Sequence, residues 1–239
     1  MQGRIVGRVA ELWRFPVKSM AGERRAAVEL RWTGLHGDRQ YAFHRAANPS
    51  RFPWLTGREV PALVLHRASF RDPEDPRHAP VEVETPQGAR LPLDAPALHA
   101  ALEAEAGEKV ALIQIGRGAF DAMPVSIGTT AGLAAVDAAH GTALDPRRFR
   151  LNIMIESDMP ESALAGLRLG FGEAPDAPAL LVAEGIPRCA MITLDPATAA
   201  RDASVLRTVA QRFDNEVGVY AAAARLGWIR EGDVVRVID

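Results

Sequence analysis

The 239-residue chain is poor in several things at once, and each shortage removes a class of protein. It has one cysteine, Cys189, which excludes a disulfide within the chain and any zinc or iron–sulfur site built from several thiolates. Of its 28 basic residues only Lys18 and Lys109 are lysine and 26 are arginine, so an arginine says little by itself and a lysine says more. Aromatic residues make up 6%, too few for a platform on which single-stranded nucleic acid stacks. A net charge of −2 gives no basic surplus for nucleic acid or for an anionic membrane surface. No apolar run approaches the roughly 18 residues of a membrane-spanning helix. The opening MQGRIVGRVAELWRF carries charge through its apolar pattern, unlike a signal peptide. Neither a GxGxxG nor a GxxxxGK[ST] phosphate loop is present. No nucleic-acid or membrane partner is expected, and the expected location is cytoplasmic.

What is present is an ordinary globular mixture, 48% hydrophobic and 24% charged, long enough for one large domain or two small ones. Period-two alternation predicts strands at 4–15, 26–32 and 39–45, the first with Ile5, Val9 and Leu12 on its apolar side. Residues 48–50 open a loop, 60–70 read as a strand or buried segment, and the proline-rich 71–80 as an exposed loop. Asp94 is placed to cap a helix over 95–106 that stops at Gly107, and a second helix runs from Thr130 to His140. Further strands are predicted at 109–115, 150–156, 180–184, 216–221 and 234–238, with a helix at 204–213. The sum is an α+β protein, mostly β, built on a closed or half-closed β-barrel with about three helices. The segment Gly116-Arg117-Gly118-Ala119 is the expected seam between a β-rich module at 1–117 and a barrel domain at 118–239, the first strands being available to complete the same barrel.

Three groups of residues carry possible chemistry. Cys189 follows an apolar strand in Gly185-Ile186-Pro187-Arg188-Cys189. A lone cysteine is commonly a small buried hydrophobe. A neighbouring cation such as Arg188, however, favours the thiolate that serves as nucleophile or metal ligand. The six histidines are scattered, so a single soft thiolate suits a metal that brings most of its own ligands. Lys18-Ser19, with Arg39 about twenty residues on, offers a point charge, a hydroxyl and a guanidinium fork for a phosphate; the alternative is a solvated loop lysine beside an ordinary turn. A Schiff-base role for Lys18 with pyridoxal phosphate would need a desolvated amine, and the neighbouring hydroxyl and arginine fit phosphate binding better. Arg147, Arg148 and Arg150 read as a solvated rim by default, but Arg150 and Asn152 share parity in the predicted strand and can point at one ligand.

Taken in order, these motifs resemble the MOSC family, the domain named after the C-terminal part of molybdenum cofactor sulfurase, with its N-terminal β-barrel module. The resemblance rests on Phe15-Pro16-Val17-Lys18-Ser19-Met20, Gly34-Leu35-His36-Gly37-Asp38-Arg39, Leu55-Thr56-Gly57-Arg58-Glu59-Val60-Pro61, Arg148-Phe149-Arg150-Leu151-Asn152, Arg188-Cys189 and Gly218-Val219-Tyr220. It spans nearly the whole chain. It implies a molybdenum cofactor held through Cys189, as metal ligand and catalytic residue. Lys18, Ser19 and Arg39 would take the pterin phosphate. Arg150 and Asn152 would hold the pterin with backbone around Thr129 and Thr130, Arg188 completing the cofactor-binding set. The implied activity is that of an oxidoreductase reducing N-hydroxylated or N-oxygenated small molecules. The alternative is a carrier of persulfide sulfur or of the cofactor, without turnover of its own. No cysteine-rich tail of the kind fused to some relatives is seen, so a separate reductase is expected to supply electrons. The chain departs from the family pattern at Gly132, where a hydroxyl residue is common, and at Ala199, where glycine is usual.

Overall fold

The computed structural model describes residues 3–48, 50 and 52–239; Pro49 of the loop expected at 48–50 lies outside the described residues. The N-terminal half contributes strands β1 (Ile5–Arg14), β2 (Glu23–Arg24), β3 (Ala27–Arg31), β4 (Gly34–Leu35), β5 (Tyr41–Arg45), β6 (Arg67–Phe70), β7 (Val81–Glu84), β8 (Arg90–Pro92) and β9 (Val110–Gln114), with helix α1 (Pro96–Ala106) between the last two. The C-terminal half contributes β10 (Val125–Thr129), α2 (Thr130–His140), β11 (Ile153–Glu156), β12 (Arg168–Phe171), β13 (Ala179–Pro187), α3 (Ala203–Arg212), β14 (Glu216–Arg225), β15 (Gly227–Arg230) and β16 (Val234–Ile238).

Seven strands close into a barrel in the order β11-β10-β14-β13-β12-β16-β1, with β1 returning to pair with β11. Closure leaves no open edge in the ring, so the barrel is closed rather than half-closed. β1 makes this possible: its first residues pair with β16 (Ile5 with Arg236) and later ones with β11 (Val9 with Ile155, Leu12 with Ile153). The register slips between Ile5 and Gly7 and again between Val9 and Glu11. Each slip breaks the period-two phase, which corrects the sequence expectation for Ile5: Val6, Val9 and Leu12 enter the core and Ile5 is 61% exposed. The core also takes Val28 and Leu30 of β3 and Leu35 of β4, so residues from the first 35 fill a barrel whose other strands come from the second half.

A second core lies in the N-terminal module, where Phe43, Leu55, Leu63, Val83, Leu98 and Leu102 pack beneath the β5–β9 pair and the β6-β7-β8 sheet. A third joins α2 and α3 to the barrel wall through Val136, Phe149, Ile186, Val205, Val209 and Val217. Several local expectations are corrected. The segment 60–70 is split into a 3-10 helix, Pro61–Leu65, and β6. Asp94 does not cap α1, whose N-cap is Ala95 with no side-chain hydrogen bond, Pro96 serving as first residue. Arg150 lies outside β11: it ends the 3-10 helix Pro146–Phe149 in a left-handed conformation (φ 51°), so its parity with Asn152 along a strand does not exist.

Candidate functional site

Between the N-terminal module and the open end of β13 lies a cavity of about 460 Å³. Lys18, Ser19, Arg39, Arg150, Asn152, Arg188 and Cys189, all chosen from the sequence, contribute to its wall. Thr129 and Thr130 do not line it.

Cys189 reaches the cavity because β13 ends at Pro187 after the last two of its three register shifts against β14, before Gly185 and again before Pro187, which turn the chain off the ladder. Its neighbours are pinned. Arg188 donates its backbone N–H to the Asn215 carbonyl (2.8 Å), and Asn215 Nδ2 returns a bond to the Arg188 carbonyl (2.9 Å). Cys189 itself is extended, opens the 3-10 helix Ala190–Thr193 and is exposed, so the bland expectation of a buried small hydrophobe is not met. The Arg188 side chain turns inward, donating from Nη1 to Phe149 O (2.9 Å) and from Nε to Val217 O (2.7 Å). Burial drags its guanidinium down to about 10, opposed by Tyr220 and Cys189, so at neutral pH it stays charged.

The anion pocket forms around backbone of unusual conformation. Among the described residues six non-glycine positions have positive φ, and three of them, Ser19 (66°), Arg39 (46°) and Arg150 (51°), are in this wall. A left-handed L-residue costs about 1–2 kcal/mol, and such strain concentrates where function fixes a geometry. Here it is held by Asp38, whose carboxylate is buried and accepts from Phe15 N–H (2.7 Å), and by Arg39 N–H donating to Phe15 O (2.6 Å). Arg39 and Arg150 stack on the Phe15 ring at 4.3 and 4.4 Å, and Arg39 Nη2 donates to Arg150 O (3.0 Å). Arg150 Nη1 donates to Met20 O (2.7 Å) and has no carboxylate partner among the described residues. Burial, and then the charge of Arg39, pushes its guanidinium down to about 9.

Lys18 is buried, and its Nζ donates to Ala119 O and to Asp121 Oδ1, both at 2.6 Å. Burial lowers its pKa, but the Asp121 carboxylate opposes this. That contact favours the ammonium form, which suits a phosphate ligand better than the neutral amine that pyridoxal chemistry needs. Asn152 lies in the wall but is committed to structure: Oδ1 accepts from Ser126 N–H (3.2 Å) and Ser126 Oγ (2.8 Å), and Nδ2 donates to Trp13 O (3.1 Å). Thr129 caps α2 by accepting from Gly132 N–H (3.0 Å) and donates to buried Glu161 (3.0 Å); Thr130 Oγ1 donates to Ser157 O (3.0 Å). Their side chains are therefore occupied away from the cavity.

Sequence reasoning missed Asp121 and Tyr220. Tyr220 lines the cavity beside Arg188, and burial together with Asp121 raises its pKa, so the phenol stays protonated and can donate. The signal for both was available only in three dimensions, since neither stands near Cys189 or Lys18 in the chain. Among the described residues no three His, Cys, Asp or Glu side chains converge to hold a metal. The donor set therefore fits a group that brings its own metal ligands and a phosphate: one exposed soft thiolate in a cavity that also carries Arg150 and Arg188, which have no carboxylate partner among the described residues.

No helix among the described residues is long and apolar enough to cross a membrane. The chain is similar in fold to the crystal structure of the YUAD protein from Bacillus subtilis, at 14% identity and a TM-score of 0.53, over 99% of this chain and 98% of that one. Two further crystal structures overlap less well. One is YiiM from Geobacillus stearothermophilus (12% identity, TM-score 0.37, 49% of this chain and 55% of that one), the other a hypothetical protein (8%, 0.46, 98% and 69%). No curated protein matches the sequence. The MOSC N-terminal beta barrel domain matches residues 6–122 and the MOSC domain residues 116–236, and the two matches overlap over 116–122, where Ala119, Phe120, Asp121 and Ala122 line the cavity. With both domains present in order, the chain belongs to the MOSC domain family, which is associated with the molybdenum cofactor.

Proposed function

We propose that this protein is a molybdenum-cofactor-dependent reductase of N-hydroxylated small molecules. The observation that carries the reading is an exposed cysteine, Cys189, sharing one cavity with Lys18, Ser19, Arg39, Arg150 and Arg188. When bound, the cofactor would supply the two-electron redox chemistry at molybdenum. Cys189 Sγ would be the protein's ligand to that metal. Lys18 Nζ and the Arg39 guanidinium, the latter positioned by Asp38 and Arg150 O, would hold the pterin phosphate, with Ser19 supplying a further donor. Arg150 and Arg188, both held in place by backbone carbonyls, bring fixed positive charge to the wall of the site. Tyr220 Oη keeps its proton and donates to whatever lies beside Cys189. Electrons come from a separate reductase.

Protein produced in a molybdenum-replete, pterin-competent host should contain about one molybdenum per chain by inductively coupled plasma analysis, and Cys189→Ala should lose it. The loaded protein should reduce benzamidoxime with an artificial electron donor. Metal loading without any such reduction would remove the reductase assignment. The exposure of Cys189 favours one second reading, a carrier that hands persulfide sulfur to another enzyme. A cyanolysable sulfur on Cys189 in metal-free protein supports that reading against the first.

A further inference from the structure

A larger cavity, about 620 Å³, lies on the far side of the Arg148, Arg150 and Met191 side chains, which border both spaces. Its volume is within the ~300–1,000 Å³ of small-molecule sites. The MOSC assignment does not use it.

One part of its wall is apolar and partly aromatic, formed by Trp13, Phe15, Leu65, Leu151, Met154 and Leu194, and about as much of the wall is polar. Trp13 and Phe15 are stacked, with centroids 6.5 Å apart and planes at 23°. Its charges are unevenly matched. Glu11 is taken up by Trp13 Nε1 (2.8 Å) and Arg24 (3.5 Å). Glu84, which stands opposite Arg67 in the β6–β7 ladder, is paired to Arg90 instead (3.4 Å). Arg147 is held by Asp145, and Arg148 by Asp195 (2.9 Å). Two cations remain without a carboxylate among the described residues, Arg67 at the exposed mouth and Arg150 in the partition. In the same partition Arg148 Nε, on a side chain 9% exposed, is buried without a hydrogen-bond partner. The cavity therefore combines an aromatic and aliphatic patch with two cations that have no carboxylate among the described residues.

The geometry points to a second ligand site that takes an aromatic monocarboxylate. The ring enters between Trp13, Leu65 and Met154 and meets the Arg150 guanidinium face as a cation–π partner. The carboxylate stays at the mouth, where the Arg67 fork can pair with it bidentately and solvent still hydrates it. A phosphorylated or strongly hydrated anion would leave the aromatic patch of Trp13 and Phe15 unfilled, and an amine would face an uncompensated cationic surplus.

Isothermal titration of the full chain with 2-naphthylacetate, against the isosteric 2-naphthylacetamide, tests this. Saturable binding of the acid is expected, about tenfold tighter than the amide, because the carboxylate adds a charge-assisted bond. Arg67→Gln, at an exposed position, should remove that preference. Ala197→Trp, on the exposed rim, should fill the mouth and abolish binding of both. Lys18→Gln should leave affinity for the acid unchanged. Equal binding of acid and amide, no saturation at millimolar ligand, or loss of binding in Lys18→Gln, which would place the ligand in the other cavity, each overturns the proposal.

Discussion

Arg150 joins the two halves of the molecule through single contacts: its carbonyl accepts from Arg39, its Nη1 reaches Met20, and its plane lies on Phe15. Its charge is labile for an arginine, since burial brings the guanidinium down to about 9. The group is cationic below that value and neutral above it. Anion affinity should therefore hold through neutral pH and fall as pH rises through about 9, with Lys18, also lowered, acting in the same direction. Titration with sulfate, whose own charge is constant over this range, measures it; affinity that stays flat past that point would mean that Arg150 does not face the anion. Gly132 is a second residue whose identity the structure explains. A Cβ there would stand 1.6 Å from Glu161 Oε2, and that buried carboxylate also accepts from Gly218 N–H (2.7 Å), so it cannot easily retreat. Gly132→Ser, the hydroxyl residue common in the family, should lower stability in urea unfolding by about 1–3 kcal/mol through overpacking. Ala199, where glycine is usual, adopts the left-handed conformation that glycine would take without strain (φ 59°), so the turn persists with a less suitable residue.

At the scale of elements, α2 shows what the sequence carries plainly. Thr129 accepts at its N-terminus and Gly141 ends it in a left-handed cap (φ 88°), and the span Thr130–His140 is the one predicted. Thr129→Ala removes the cap bond and orphans a Glu161 oxygen, so a loss of about 1–2 kcal/mol in urea or thermal unfolding is expected. A change within a few tenths would mean that water replaces the hydroxyl. Asp94, by contrast, looks like a cap in sequence and is not one, because Ala95-Pro96 already starts α1 with a proline that needs no donor partner. Strands with one wet face were legible by alternation, as in β3, where Val28 and Leu30 alternate with half-buried neighbours. β10 was not: all five residues of Val-Ser-Ile-Gly-Thr are buried, so no alternation exists to be read. β12 is too short to show a period, and its pairing with β16 is a contact across more than sixty residues of chain. The candidate site was legible where chemistry is carried by residue type, at Cys189, Lys18 and Arg39. It was illegible where backbone conformation decides, as at Arg150, and where the partner is remote in sequence, as at Asp121 and Tyr220.

For the whole molecule the consequence lies in β1, a strand from one end of the chain that closes a barrel built from the other. Residues 118–239 expressed alone would lack it. β16 and β11 would each lose an antiparallel partner and expose a row of unpaired backbone groups. Val6, Val9 and Leu12 would also leave the core, together with Val28, Leu30 and Leu35. Each such side chain contributes about 1.5–3 kcal/mol on burial, so three of them alone remove an amount comparable with the ~5–15 kcal/mol that separates folded from unfolded domains. The fragment should therefore show no cooperative unfolding transition and should aggregate through its open edges. Restoring residues 1–35 at its N-terminus returns β1, β3 and β4 and should bring back a cooperative transition, although the module carrying Lys109 and α1 is still missing. A fragment of 118–239 that unfolds cooperatively by itself would show that six strands close without β1, and the cavity wall from Lys18 to Arg39 would then be an addition to a self-sufficient barrel rather than part of its closure.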